Sequence, residues 1–122
     1  MTYRFENLEI WKLAREYVNL IYSITKQFPK EELFSLTNQI RRAGLSVMLN
    51  ITEGSDRNSD VEYIRFLRIA YTSLEETVAG CYIALDQKYL EQNKFAEIYN
   101  RSELLSKKIY SLINYLNKTK RQ

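Results

Sequence analysis

A chain of 122 residues falls within the size of one domain, and 45% apolar with 27% charged residues supports a packed core over a disordered segment. One cysteine, Cys81, and no histidine exclude a disulfide scaffold, a cysteine-rich zinc site, His-based metal centres and Ser-His-Asp or Cys-His catalysis. A net charge of +3 does not by itself announce a polyanion binder, and 3 glycines with 1 proline favour long helices over many tight turns.

The opening Met1-Thr2-Tyr3-Arg4-Phe5-Glu6 is polar and lacks the apolar stretch of a signal peptide. No apolar run approaches the length of a membrane span. The expectation is a soluble cytoplasmic protein with no membrane contact.

Apolar residues then recur at three- and four-residue spacing in four stretches. The first is Trp11, Ala14, Val18, Ile21, Thr25 and Phe28, with Asn7 as its expected N-cap and Pro29 as its stop. The second is Leu36, Ile40, Ala43, Val47, Asn50 and Gly54, with Gly54 expected to end the helix as a C′ glycine. Ser59-Asp60-Val61-Glu62 has the form of a capping box, so the third helix is expected to start at Ser59. Its seam is Tyr63, Leu67, Ala70, Leu74, Thr77, Cys81 and Ala84. The fourth is Phe95, Ile98, Ser102, Leu105, Ile109, Leu112 and Leu116, followed by a tail, Lys118-Thr119-Lys120-Arg121-Gln122, expected to be disordered.

The pattern predicts an all-α fold: an antiparallel up-and-down four-helix bundle, one domain over residues 1–122, with helices at about 8–28, 35–54, 59–87 and 92–117. Apolar residues also lie off the seams. In helix 1 they are Ile10, Leu13, Tyr17, Leu20, Tyr22 and Ile24; in helix 3, Phe66, Ile69, Tyr71, Tyr82 and Ile83. A monomeric bundle needs one stripe per helix, so the extra breadth points to self-association. The competing reading is that tyrosines coat the surface with amphipathic rings.

The charges that remain divide into two groups. A turn centred near Arg57 would place residue x of helix 2 beside residue 113 − x of helix 3, which brings Arg41 and Arg42 close to Glu75 and Glu76, and Asn38 beside Glu75. Glu53 would reach the start of helix 3, and Asn50 would occupy a seam position that sets register. Glu53, Glu75 and Glu76 are the carboxylates available to a hard cation, but ion pairing with arginine is the favoured reading, with no metal and no cofactor. Cys81, on an apolar seam, reads as a small core residue rather than a nucleophile.

The second group is basic. Residues 1–30 hold five basic and three acidic groups, and residues 91–122 hold seven and three, while the middle of the chain is acidic. Helices 1 and 4 thus offer Lys12, Arg15, Lys26, Lys94, Arg101, Lys107, Lys108 and Lys118 to a polyanion. Arg57, Arg65 and Arg68 form a second patch near the turn between helices 2 and 3. An ordinary solvated helix face is the favoured reading of such runs.

Helices 2 and 3 carry a longer pattern. It runs Leu36-Thr37-Asn38-Gln39-Ile40-Arg41-Arg42-Ala43, Ser46-Val47-Met48-Leu49-Asn50-Ile51-Thr52-Glu53-Gly54, Arg65-Phe66-Leu67-Arg68-Ile69-Ala70 and Ser73-Leu74-Glu75-Glu76. Phe5-Glu6-Asn7-Leu8-Glu9-Ile10-Trp11 and Phe28-Pro29-Lys30-Glu31-Glu32 extend it towards the N-terminus. Over nearly its whole length the chain resembles the bacterial 23S rRNA intervening-sequence proteins, also called four helix bundle proteins, relatives of the accessory proteins of diversity-generating retroelements. It departs from their pattern at Thr52, where alanine is usual, and at Tyr71-Thr72, where a small residue often precedes the serine.

The resemblance implies a bundle that assembles into a ring, a homopentamer, and supplies no catalytic residues. It implies contact with RNA or DNA, or with a reverse transcriptase or ribosome-associated protein. Two functions follow: an RNA-binding oligomer acting through its basic surface, with tyrosines stacking on unpaired bases, or a protein–protein adaptor without direct nucleic-acid contact. An enzyme is not expected, because no histidine, phosphate loop or reactive cysteine supports one.

Overall fold

The four periodic stretches become four α-helices in the computed structural model, which describes residues 2–119. They are α1 (Glu9–Thr25), α2 (Leu36–Ser55), α3 (Asp60–Asp86) and α4 (Gln92–Thr119). Short 3-10 turns, Arg4–Asn7 and Lys30–Glu32, precede α1 and α2, and the described residues contain no strand. Each helix packs on its neighbour in sequence, and α4 closes on α1, so the chain is an antiparallel up-and-down bundle. Lys118 and Thr119 are helical, contrary to the expected disordered tail; residues 120–122 lie outside the described residues.

Every helix contributes side chains that are at most 1% exposed: Tyr17 and Ile21, Val47 and Ile51, Leu67 and Leu74, Leu105 and Ile109. Burial of each stabilises the fold by about 1.5–3 kcal/mol relative to exposure. The α3 seam is as predicted, Cys81 included. In α2, Ile40, Val47 and Gly54 are buried as predicted, but Gly44 and Ile51 are buried where Ala43 and Asn50 were expected, those two being half-buried beside them. In α4, Ile113 is buried where Leu112 was expected. Ile10 and Tyr17, counted as off-seam, belong to the core. The cause is geometric: a buried stripe is wide, and a strict 3-4 spacing drifts around a helix of 3.6 residues per turn.

Helix ends follow local chemistry, with two departures from expectation, at Asn7 and Gly54. Ser59 caps α3 as predicted, its Oγ accepting from the Glu62 amide at 3.2 Å. Asn7 does not cap α1; it lies in the preceding 3-10 turn, and Leu8 occupies the cap position without a side-chain bond. Ser35 is the cap residue of α2; Glu32 Oε1 accepts from the Leu36 amide at 3.4 Å and from Ser35 Oγ at 2.6 Å, and its Oε2 accepts from Tyr89 OH at 3.0 Å. Those bonds, Ser35 first and Tyr89 second, hold the Glu32 carboxyl below its ordinary range and tie two connecting loops together.

Gly54 is not a left-handed cap. It lies within α2, where an added Cβ would sit 2.8 Å from Phe66 Cβ, so glycine permits the close approach of α2 and α3. The left-handed residue is Lys88, at φ 66, after α3. Tyr89 N–H bonds to Ala84 O at 2.9 Å and Lys88 N–H to Leu85 O at 3.0 Å, the double bond of a Schellman ending.

Candidate nucleic-acid interface and the exposed grooves

The register of α2 against α3 decides where the expected polar network goes. Ser46 Oγ lies 2.9 Å from Ser73 Oγ, and Ile40 faces Gly80, so the pairing is offset by about six residues, nearly two turns, from the predicted one. The turn-centred prediction fails because α2 runs past Gly54 to Ser55 and the first turn of α3 projects beyond it. Among the described residues, Arg41 and Arg42 accordingly form no ion pair with Glu75 or Glu76. Arg41 instead donates to Thr25 Oγ1 at 2.8 Å and stacks over Tyr22 at 4.9 Å. Arg42, Asn38, Glu75 and Glu76 are exposed. Glu53 pairs with Arg57 at 3.5 Å within its own chain segment. Ser46 Oγ and Ser73 Oγ make a polar contact across α2–α3, and Asn50 Nδ2 donates to Ser46 Oγ at 3.0 Å from within α2.

The basic residues divide the same way. Along α1 and α4, Lys108 pairs with Glu9 at 3.2 Å and Arg101 with Glu16 at 3.7 Å, while Lys94 and Arg101 flank Glu97. Lys12, Arg15, Lys26, Lys107 and Lys118 are exposed on these helices, Arg15 leaning on the Trp11 ring at 5.9 Å. This face is a ladder of alternating charge, not a continuous positive field.

At the α2–α3 turn charges alternate too, Arg57 pairing with Glu53 and Arg65 with Glu62, but here the arginines also share an aromatic ring. Arg57 and Arg65 both stack on Phe66, each guanidinium carbon 4.9 Å from the ring centre. Arg65 also donates to Glu62 at 3.0 Å, which holds that carboxyl below its ordinary value. Arg68, one turn on, is exposed and forms no ion pair among the described residues. Beside them an open hollow of about 240 Å³ is lined by the Tyr3 and Phe5 rings, by Arg4 and Arg57, and by the carboxylates of Glu53 and Asp56. Tyr3 and Phe5 stack at 5.8 Å and 16°. Sequence reading grouped the three arginines but missed Phe66 between two of them; its place one residue after Arg65 was the available signal.

Sequence reading also missed a groove of about 450 Å³ between α3 and α4, lined by Tyr71, Glu75, Tyr82, Tyr99 and Glu103 over a floor of small residues. The signal was present: Tyr71 and Tyr82 on α3, and Tyr99 and Tyr110 on α4, share one spacing. Cys81 is buried, and burial pushes its thiol up to about 12, far from a nucleophile's range. Among the described residues no three acidic or sulfur side chains converge on a metal position, and no helix is long and apolar enough to cross a membrane.

Thr52, the position where the resemblance expects alanine, accepts a hydrogen bond from Trp11 Nε1 at 2.9 Å. The substitution therefore gives a half-buried indole its partner and ties α1 to α2.

Comparison with known proteins agrees with this architecture. Residues 6–111 match the sequence profile described as 23S rRNA-intervening sequence protein. A crystal structure of a protein of unknown function from the S23 ribosomal protein family of Bacteroides thetaiotaomicron superposes with a TM-score of 0.79. It is 25% identical, and the match covers 85% of this chain and 97% of that one. No curated protein matches the chain.

Proposed function

We propose, from the premise that the chain belongs to the 23S rRNA-intervening sequence protein family, that it is a non-enzymatic RNA-binding bundle acting as a ring-shaped oligomer, with five copies the expected number. The observation that carries the reading is the Arg57–Phe66–Arg65 stack with Arg68 beside it. Stacking holds two guanidinium planes at fixed positions, so less side-chain freedom is lost when they meet phosphates or the faces of unpaired bases. The neighbouring Tyr3 and Phe5 rings offer a further stacking surface. Repeating the patch around a ring multiplies weak contacts through effective concentration. Exposed Ile69, Ile83, Leu49 and Leu104 supply apolar area for the contact between copies.

The test is a mobility shift with structured RNA at about 50 and about 200 mM salt. Affinity is expected to fall steeply with salt and to show little sequence preference. Arg57→Ala/Arg65→Ala/Arg68→Ala is expected to weaken binding by about tenfold or more, whereas Lys94→Ala/Lys108→Ala, on the alternating ladder, changes it little. No shift at micromolar protein, or the reverse order of the two variants, refutes the reading. Light scattering gives the number of copies.

A second reading, an adaptor for a reverse transcriptase or ribosome-associated protein, is favoured by the α3–α4 groove. Partners that survive nuclease treatment in a pull-down would support it.

A further inference from the structure

The groove between α3 and α4 has a chemistry opposite to that of the rest of the molecule. The protein carries a net +3, yet no basic residue lines this groove, and Glu75 from α3 and Glu103 from α4 both do. Among the described residues neither carboxylate forms an ion pair, and both are exposed. Tyrosines stand at its two ends: Tyr71 packs on Tyr110 at 6.4 Å, and Tyr82 packs on Phe95 at 4.7 Å with Tyr99 beyond it. Between them Ala79, Ser102 and Ser106 are too small to fill the space, which leaves about 450 Å³ open. From Tyr71 to Tyr82 the groove runs about 16 Å along α3. Behind Ser102 of the floor lies the buried Tyr17, whose hydroxyl is close to those of Ser102 and Thr77.

We propose that this groove binds a linear aliphatic polyamine, its ammonium groups on Glu75 and Glu103 and its methylene chain along the tyrosine faces. The volume is that of a small-molecule site. Two exposed carboxylates without partners give the groove a negative field that attracts cations, and aromatic walls favour a cation while covering the apolar links between its charges. The length of the groove suits an extended chain with more than one charge. A single metal ion would use neither the length nor the walls, and it would find only two acidic ligands. The Ser102 hydroxyl, with Tyr17 behind it, offers a polar floor for a remaining ammonium proton.

The proposal is independent of the RNA surface, which lies at the α2–α3 turn. The experiment is isothermal titration of nuclease-treated protein with spermidine. Saturable binding is expected, weakened about tenfold or more by Glu75→Gln/Glu103→Gln and weakened less by Tyr82→Leu. Both glutamates are exposed, so the double variant is expected to keep its helical circular dichroism and melting temperature. Arg57→Ala/Arg65→Ala/Arg68→Ala is expected to leave spermidine affinity unchanged. Absence of binding at millimolar spermidine overturns the assignment. So does equal affinity in the double variant, or equal competition by magnesium at matched charge. Tighter binding of a lysine-bearing helical peptide than of spermidine also overturns it, and assigns the groove to a protein partner.

Discussion

Replacing three helical glycines by alanine separates propensity from packing. In a helix interior Gly→Ala stabilises by about 1 kcal/mol on propensity alone, so local reasoning predicts the same gain for Gly44, Gly54 and Gly80. The structure predicts three different outcomes. At Gly44 the new methyl meets Ile21 Cγ1 at 3.6 Å, an ordinary contact, and the full gain of about 1 kcal/mol is expected. At Gly54 it meets Phe66 Cβ at 2.8 Å and Tyr63 Cδ1 at 3.0 Å. Phe66 Cβ is bonded to the backbone and cannot rotate away, so α2 and α3 must separate. Overpacking of this kind costs about 1–3 kcal/mol, which cancels the gain of about 1 kcal/mol and leaves a net loss of up to about 2 kcal/mol. Gly80 is intermediate: the obstacle, Ile40 Cγ1 at 2.8 Å, belongs to a buried β-branched side chain with one preferred rotamer, but it is a side-chain atom. Thermal melts followed by circular dichroism read the order. With about 3–5 °C per kcal/mol for a chain of this size, Gly44→Ala should melt highest, then wild type, then Gly80→Ala, then Gly54→Ala. A rise for Gly54→Ala comparable to that of Gly44→Ala would refute the α2–α3 packing described here.

Lys88→Gly relieves the left-handed backbone at φ 66 and should raise stability by about 1 kcal/mol, whereas Lys88→Val should lower it; urea denaturation compares them. Thr52→Ala should cost about 1 kcal/mol by leaving Trp11 Nε1 without its partner, with a change in tryptophan emission. Burial raises the Cys81 thiol to about 12, above its unfolded value of about 8.5, so the folded state keeps a proton that the unfolded state loses. Stability from this group is fully present below about pH 8 and falls at up to about 1.4 kcal/mol per pH unit as pH rises towards the folded value. Burial also raises the Tyr17 phenol, so a second loss begins above about pH 10. Cys81→Ala should flatten the slope between those points, and native Cys81 should resist thiol reagents at pH 8 until the protein is unfolded.

Much of the architecture was legible because it is local. The α3 seam, the Ser59 cap and the four helices follow from spacing and capping chemistry that operate within a few residues. The family was legible from a long joined pattern. The candidate site was less so. Arg57, Arg65 and Arg68 were grouped by proximity to a turn, and the Phe66 stack that brings Arg57 and Arg65 together was not seen. The pairing of Arg41 and Arg42 with Glu75 and Glu76 was reasoned from the turn centre, and it failed by nearly two helical turns.

Local patterning was enough to set the number and order of the helices and the start of α3, and to remove histidine and disulfide chemistry. The slide and rotation of one helix against another were not local. They depend on the simultaneous fit of side chains such as Gly54 against Phe66 and Gly80 against Ile40, and only the packed bundle resolves that fit. Whether Glu75 meets an arginine or lines an open groove follows from that rigid-body placement, because a shift of a few residues changes every neighbour while leaving each helix intact.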